Sequence, residues 1–121
     1  MANTFKVINF AAETNSAGTP FTMYTVASST TTVVLGLVLA NIHTTAVTAE
    51  VELVSTTSSR GGANNVANGT SFLIKDVNIP TGSSLEILSG GKVVLEAGDK
   101  IQVDCSVADK LSGTLSIMEI T

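Results

Sequence analysis

The stretch Thr32-Val-Val-Leu-Gly-Leu-Val-Leu-Ala-Asn41 decides the fold. It is rich in valine and leucine and has no polar residue between its ends. β-Branched side chains lose rotamer freedom in a helix and fit a pleated sheet, so the run reads as a strand. Successive side chains of a strand point to opposite faces, and a half-buried strand therefore alternates apolar and polar. This one does not alternate. In regular phase Val33, Leu35, Leu37 and Leu39 line one face, and Val34, Gly36, Val38 and Ala40 line the other. A small domain has one core, which explains one apolar face. The second needs another apolar surface, and the reading assigns it to contact with other chains through Val34 and Val38.

The segments around this run have the same character. Short runs of strand-forming residues alternate with turn-forming Ser, Gly, Asn and Pro. The expected strands are Thr4–Phe10, Phe21–Val26, Thr32–Asn41, Ala46–Val54, Thr70–Ile79, Ser84–Leu88, Lys92–Leu95, Lys100–Val107 and Leu111–Ile120. No window holds apolar residues at i, i+3, i+4 and i+7 for more than a turn, so no substantial helix is expected. About eight or nine strands with turns at short intervals have the spacing of an antiparallel β-sandwich or jelly roll. Ile42–Thr45 is short enough to close an antiparallel hairpin between its flanking strands. The last strand repeats the two-faced pattern, with Leu115 and Ile117 on one side and Met118 and Ile120 on the other. A β-bulge could restore a single phase there; otherwise Met118 and Ile120 join Val34 and Val38 in the predicted interface. The Ser/Gly/Asn-rich loop Ser55–Gly69 is a further candidate, either to cover an apolar face or to bind a ligand.

Composition supports assembly over chemistry. The chain has 121 residues, the size of one domain. Residues 1–20 form an N-terminal strand and loop that could dock on a partner, and 21–121 form the sandwich. Charged residues make up 13%, about half the usual share, while 44% are hydrophobic. A surface so short of charge fits a protein that hides part of it against other subunits. The net charge is −4, and Lys6, Arg60, Lys75, Lys92, Lys100 and Lys110 form no cluster, which excludes the phosphate contacts of a nucleic-acid binder. No apolar run approaches the roughly 20 residues of a spanning helix, so no membrane partner is expected. The N-terminus lacks a secretory pattern, which places synthesis in a cytoplasm.

Few residues offer chemistry. His43, the one histidine, falls in a turn with nothing to position it as a base. Cys105, the one cysteine, lies on the inward face of an alternating strand and reads as a core residue. The ten acidic residues show no close-spaced oxygen run of the kind a calcium loop needs. Arg60-Gly-Gly62 and Ser89-Gly-Gly91 open no helix and are not phosphate loops. Glycan stacking is poorly served: there is no Trp and one Tyr, and Phe5, Phe10, Phe21 and Phe72 are expected in the core. The expectation is a protein that is not an enzyme, with no catalytic residues, cofactor or metal.

Two pieces carry a resemblance. The first runs Phe21-Thr-Met-Tyr-Thr-Val26, Thr31-Thr-Thr-Val-Val-Leu-Gly-Leu-Val-Leu-Ala-Asn41 and Ala46-Val-Thr-Ala-Glu-Val51. The second runs Val77-Asn-Ile-Pro-Thr-Gly-Ser-Ser-Leu85 and Lys92-Val-Val-Leu-Glu-Ala-Gly-Asp-Lys-Ile-Gln-Val103, ending in Leu115-Ser-Ile-Met-Glu-Ile120. Together they resemble a group of small β-sandwich virion proteins of tailed bacteriophages. Leu95-Glu-Ala-Gly-Asp-Lys-Ile101 is also similar to a turn in trimeric jelly rolls of the tumour-necrosis-factor and complement type. The resemblance implies a structural protein of the virion, foremost a capsid decoration or cement protein. It implies self-association as a homotrimer and contact with the major capsid protein or another virion protein. Tail, neck or fibre placement and a receptor- or glycan-binding module are the alternatives.

Overall fold

The computed structural model describes residues 2–55, 69–88 and 91–121. Most of Ser55–Gly69, with Arg60-Gly-Gly62, and residues 89–90 lie outside the described residues. Nine strands are described: β1 (Asn3–Phe10), β2 (Phe21–Thr25), β3 (Thr31–Asn41), β4 (Val47–Val54), β5 (Thr70–Ile79), β6 (Ser84–Ile87), β7 (Val93–Leu95), β8 (Lys100–Cys105) and β9 (Leu111–Ile120). All pairings are antiparallel. One sheet runs β1-β9-β3-β6, with β7 pairing the other end of β3; the second runs β2-β8-β4-β5. The all-β sandwich expected from the sequence is the observed fold.

The core lies between the sheets. Val34, Leu37, Leu39, Leu111, Leu115 and Ile117 face it from the first sheet, and Val47, Ala49, Val51, Ile79, Ile101 and Val103 from the second. Cys105 is buried among them, and burial pushes its thiol pKa up. Two turns set strand ends. In Pro80–Ser83 the Ser83 N–H donates to the Pro80 carbonyl at 3.2 Å. In Glu96–Asp99 the Asp99 N–H donates to the Glu96 carbonyl at 3.0 Å. Both place glycine third, Gly82 at φ 72° and Gly98 at φ 89°, the left-handed conformation that a type II turn requires.

β3 differs from the sequence reading in one decisive respect. Val34 stands opposite Ile117, and the next pair is Gly36 opposite Ser116, so Leu35 is an extra residue on β3. This bulge reverses the phase halfway along the strand. Thr32 and Val34 point inward before it, and Leu37, Leu39 and Asn41 after it. Val34 is 1% exposed, whereas Val38 is 40% exposed. The interface expectation is therefore corrected for Val34, which belongs to the core, while Val38 lies on the outer face. The bulge absorbs an apolar run because either phase of it is apolar.

The expected β3–β4 hairpin is also corrected. β3 and β4 belong to different sheets, and Ile42–Thr45 is a crossover between them. The Asn41 side chain holds it: Nδ2 donates to the carbonyls of Thr45 and Ile79, both at 2.9 Å, and Oδ1 accepts the His43 N–H at 2.7 Å. The N-terminal residues are part of the sandwich, since β1 pairs with β9 over its full length.

Candidate functional site

Directly opposed residues of an antiparallel pair lie on the same face of the sheet. Phe5 on β1 opposes Met118 on β9, Met118 opposes Val33 on β3, and Val33 opposes Val94 on β7. Since Val34 and Ile117, one residue along, face the core, this row faces outward. It runs across four strands without a polar side chain. Phe5 is 71% exposed and Val94 57%, while Val33 and Met118 between them are half-buried by their neighbours.

Flanking rows extend the patch. Val7, 62% exposed, opposes Ser116, which opposes Gly36. Ile120, half-buried, sits between Asn3 and Thr31. Val38 opposes Thr114 and Glu86. Met118 and Ile120 thus lie on the outer face as the pattern of the last strand suggested, without a bulge in β9, whose pairing with β1 is continuous. Among the described residues, Glu86 is the one charged residue that the strand register places on this face. Beside the row lies a shallow depression of about 300 Å³ lined by Phe5, Lys6, Val7, Leu35, Ser116 and Ile117. Gly36, opposite the lining Ser116, has no side chain, and a Cβ there would meet nothing within 4 Å.

The sequence pattern shows only part of this patch. Phe5 was expected in the core and is instead its most exposed member. Phe72 is likewise 48% exposed, on the opposite side of the molecule, with the Lys75 ammonium 4.7 Å from its ring centre. Phe10 and Phe21 do pack against the core, edge to face at 5.2 Å.

The outer face of the second sheet is acidic. Glu50 opposes Asp104, and Glu52 opposes Gln102. Lys75 pairs with Glu50 at 3.3 Å and with Asp76 at 3.7 Å. A groove of about 330 Å³ is lined by Gly18, Thr48, Glu50, Lys75, Asp104 and Ser106, among others. The loop after β1 closes over one end of it. Gly18 N–H donates to Asp104 Oδ2 at 3.0 Å, and Asn15 N–H donates to Glu13 Oε1 at 2.7 Å. Glu13 Oε2 and Asp104 Oδ1 are buried without a hydrogen-bond partner. Burial first, and then neighbouring acids, raise the pKa of both Glu13 and Asp104. Burial, followed by the hydrogen bond that the protonated Glu52 carboxyl donates to Glu50, raises Glu52.

Among the described residues, no group of three or more His, Cys, Asp or Glu is arranged to hold a metal ion. His43 lies in the β3–β4 crossover and does not line the acidic groove. No helix of the described residues is long and apolar enough to cross a membrane. No family model, no curated protein and no solved structure matches the chain.

Proposed function

We propose that this chain is a non-enzymatic structural component of a tailed-phage virion, foremost a decoration protein that cements the capsid shell. The virion part of the reading rests on the resemblance carried by the β3 run, the Ile79-Pro-Thr-Gly82 turn and the Leu95-Glu-Ala-Gly-Asp99 turn. The observation that supports an assembly role is the outward row Phe5–Met118–Val33–Val94. Phe, Val and Met side chains each gain roughly 1.5–3 kcal/mol on full burial. A protein that works by burial needs such a surface and no catalytic group. In this role the sandwich is a rigid spacer, its apolar face seated on other subunits and its acidic face turned to solvent.

The test is a count of this chain in purified particles by quantitative mass spectrometry. Copies on the scale of the capsid protein support the decoration role. A count matching a single ring supports the neck or tail instead, and absence from the particle overturns the virion reading.

A further inference from the structure

We infer that the outer face of the β1-β9-β3-β6 sheet, centred on Phe5, Met118, Val33 and Val94, is covered by the same face of a second copy of this chain. This rests on the structural role proposed above and names the occupant of its apolar face.

Charge is the first argument. The chain carries ten acidic residues and a net charge of −4, yet among the described residues Glu86 is the one acidic residue that the register places on this face, with the half-exposed Lys6 bordering its depression. The other outer face holds Glu50, Glu52 and Asp104. A partner selected by its charge would find little to bind on the first sheet. A second copy meets an uncharged centre with an uncharged centre, and the net negative charges of the two bodies stay on their far sides, where salt screens them over about 8–10 Å.

Area is the second. β1, β9 and β3, of eight, ten and eleven residues, with the short β6 and β7 sharing the next position beside β3, lie about 4.8 Å apart and rise about 3.3 Å per residue, which makes a face of about 20 by 30 Å. That is the scale of the roughly 800 Å² per partner that stable association buries.

Shape is the third. Twisted sheets of the same hand pack aligned, as the two sheets of a sandwich do internally. A second copy supplies such a sheet without any adaptation. The face also carries a knob and a hollow side by side: Phe5, 71% exposed, at the edge of the depression lined by Val7, Leu35 and Ser116, with the bare Gly36 opposite Ser116. A two-fold operation presents the knob of each copy to the face of the other, the self-complementary arrangement of an isologous contact, and this contact is a pair rather than the trimer that the resemblance implies.

The experiment is sedimentation equilibrium of the full chain, wild type beside Phe5→Lys/Val94→Lys and beside Gly36→Leu, which fills the hollow. The wild type is expected to associate, and both variants to dissociate at concentrations at least tenfold higher. Phe5 and Val94 are exposed, so the Lys variant retains the β circular-dichroism spectrum of the wild type. A wild type that stays monomeric at the highest soluble concentration overturns the inference, as does a folded Lys variant that associates as well as the wild type. If the wild type is monomeric yet found in the particle, the self-contact fails while the virion role stands. If it associates but is absent from particles, the reverse holds.

Discussion

Val33 and Met118 oppose each other on β3 and β9 with their side chains on the solvent face, while their neighbours Val34 and Ile117 oppose each other in the core. Two successive residue pairs therefore serve two different apolar surfaces. The Leu35 bulge, one residue further on, lets the same strand keep Leu37 and Leu39 inward. Without it, the strand would aim Leu37 and Leu39 outward and Val38 into the core.

The division of roles between Val34 and Val38 is measurable. Val34→Ala is expected to cost about 2 kcal/mol through lost burial and the cavity left behind. Val38→Ala, on the outer face, is expected to change the stability of the dissociated chain by less than about 0.5 kcal/mol. Urea denaturation of both variants at low protein concentration checks the pair. Equal losses would contradict the bulge.

Gly113 is required by packing. It opposes Phe10 on β1, and a Cβ there would lie 2.6 Å from the Phe10 ring and 3.1 Å from Leu39. Gly113→Ala must displace the Phe10 ring, which also breaks its edge contact with Phe21. Overpacking of this kind costs typically about 1–3 kcal/mol, read as a lower denaturation midpoint.

Tyr24 joins the two sheets at one end of the sandwich. Its hydroxyl donates to Glu119 Oε2 at 2.5 Å and lies 2.8 Å from Thr32 Oγ1, while the Lys6 ammonium pairs with Glu119 Oε1 at 2.7 Å. Burial first, and then the Glu119 carboxylate, push the tyrosine pKa up to about 12. This is the one tyrosine of a chain without tryptophan, so ultraviolet titration reports it alone. A midpoint near the ordinary value of about 10 would contradict the contact. Lys6, and next the Tyr24 hydroxyl, lower the pKa of Glu119. That contribution to stability is present above the ordinary carboxylate range and is lost as pH falls through the lowered value.

Glu13 and Asp104 give the opposite pH dependence. Burial raises both in the folded state, so the folded chain holds more protons than the unfolded chain between the ordinary and the raised values. Their contribution to stability therefore falls as pH rises through that window and is constant above it. Glu13→Gln keeps an oxygen for the Asn15 N–H and removes the buried charge. It is expected to raise stability at neutral pH and to flatten this part of the profile. Denaturation midpoints measured across the acid range, wild type against variant, check the sign.

Strand positions were legible because the turns are chemically explicit. Pro80-Thr-Gly-Ser83 and Glu96-Ala-Gly-Asp99 fix their strands from residue type alone. The phase of β3 was not legible, since a bulge in an unbroken apolar run leaves no polar residue out of place. The sheet change after Asn41 was hidden for a related reason: a short connection can close a hairpin or cross between sheets, and the choice here rests on Asn41 bonding to Ile79, 38 residues away. Phe5 was misassigned because alternation shows which residues share a face and not which face is covered. On β1 the side opposite Phe5 takes Lys6, half-exposed and paired with Glu119 at the far end of the chain. The second apolar surface itself was legible, and Val38, Met118 and Ile120 lie on it. Phe5, Val33 and Val94, which dominate it, emerge from the pairing register.

The most direct measurement is the labelling rate of a single thiol placed on the outer face. Cys105 is 1% exposed and its thiol pKa is raised, so the native wild-type chain is expected to react slowly. Val94→Cys adds one accessible thiol at the edge of the row. Its labelling should be fast in dilute solution and fall at least tenfold once the chain assembles, under reducing conditions that prevent cross-linking. A rate unchanged between the dilute and the assembled protein would contradict burial of this face.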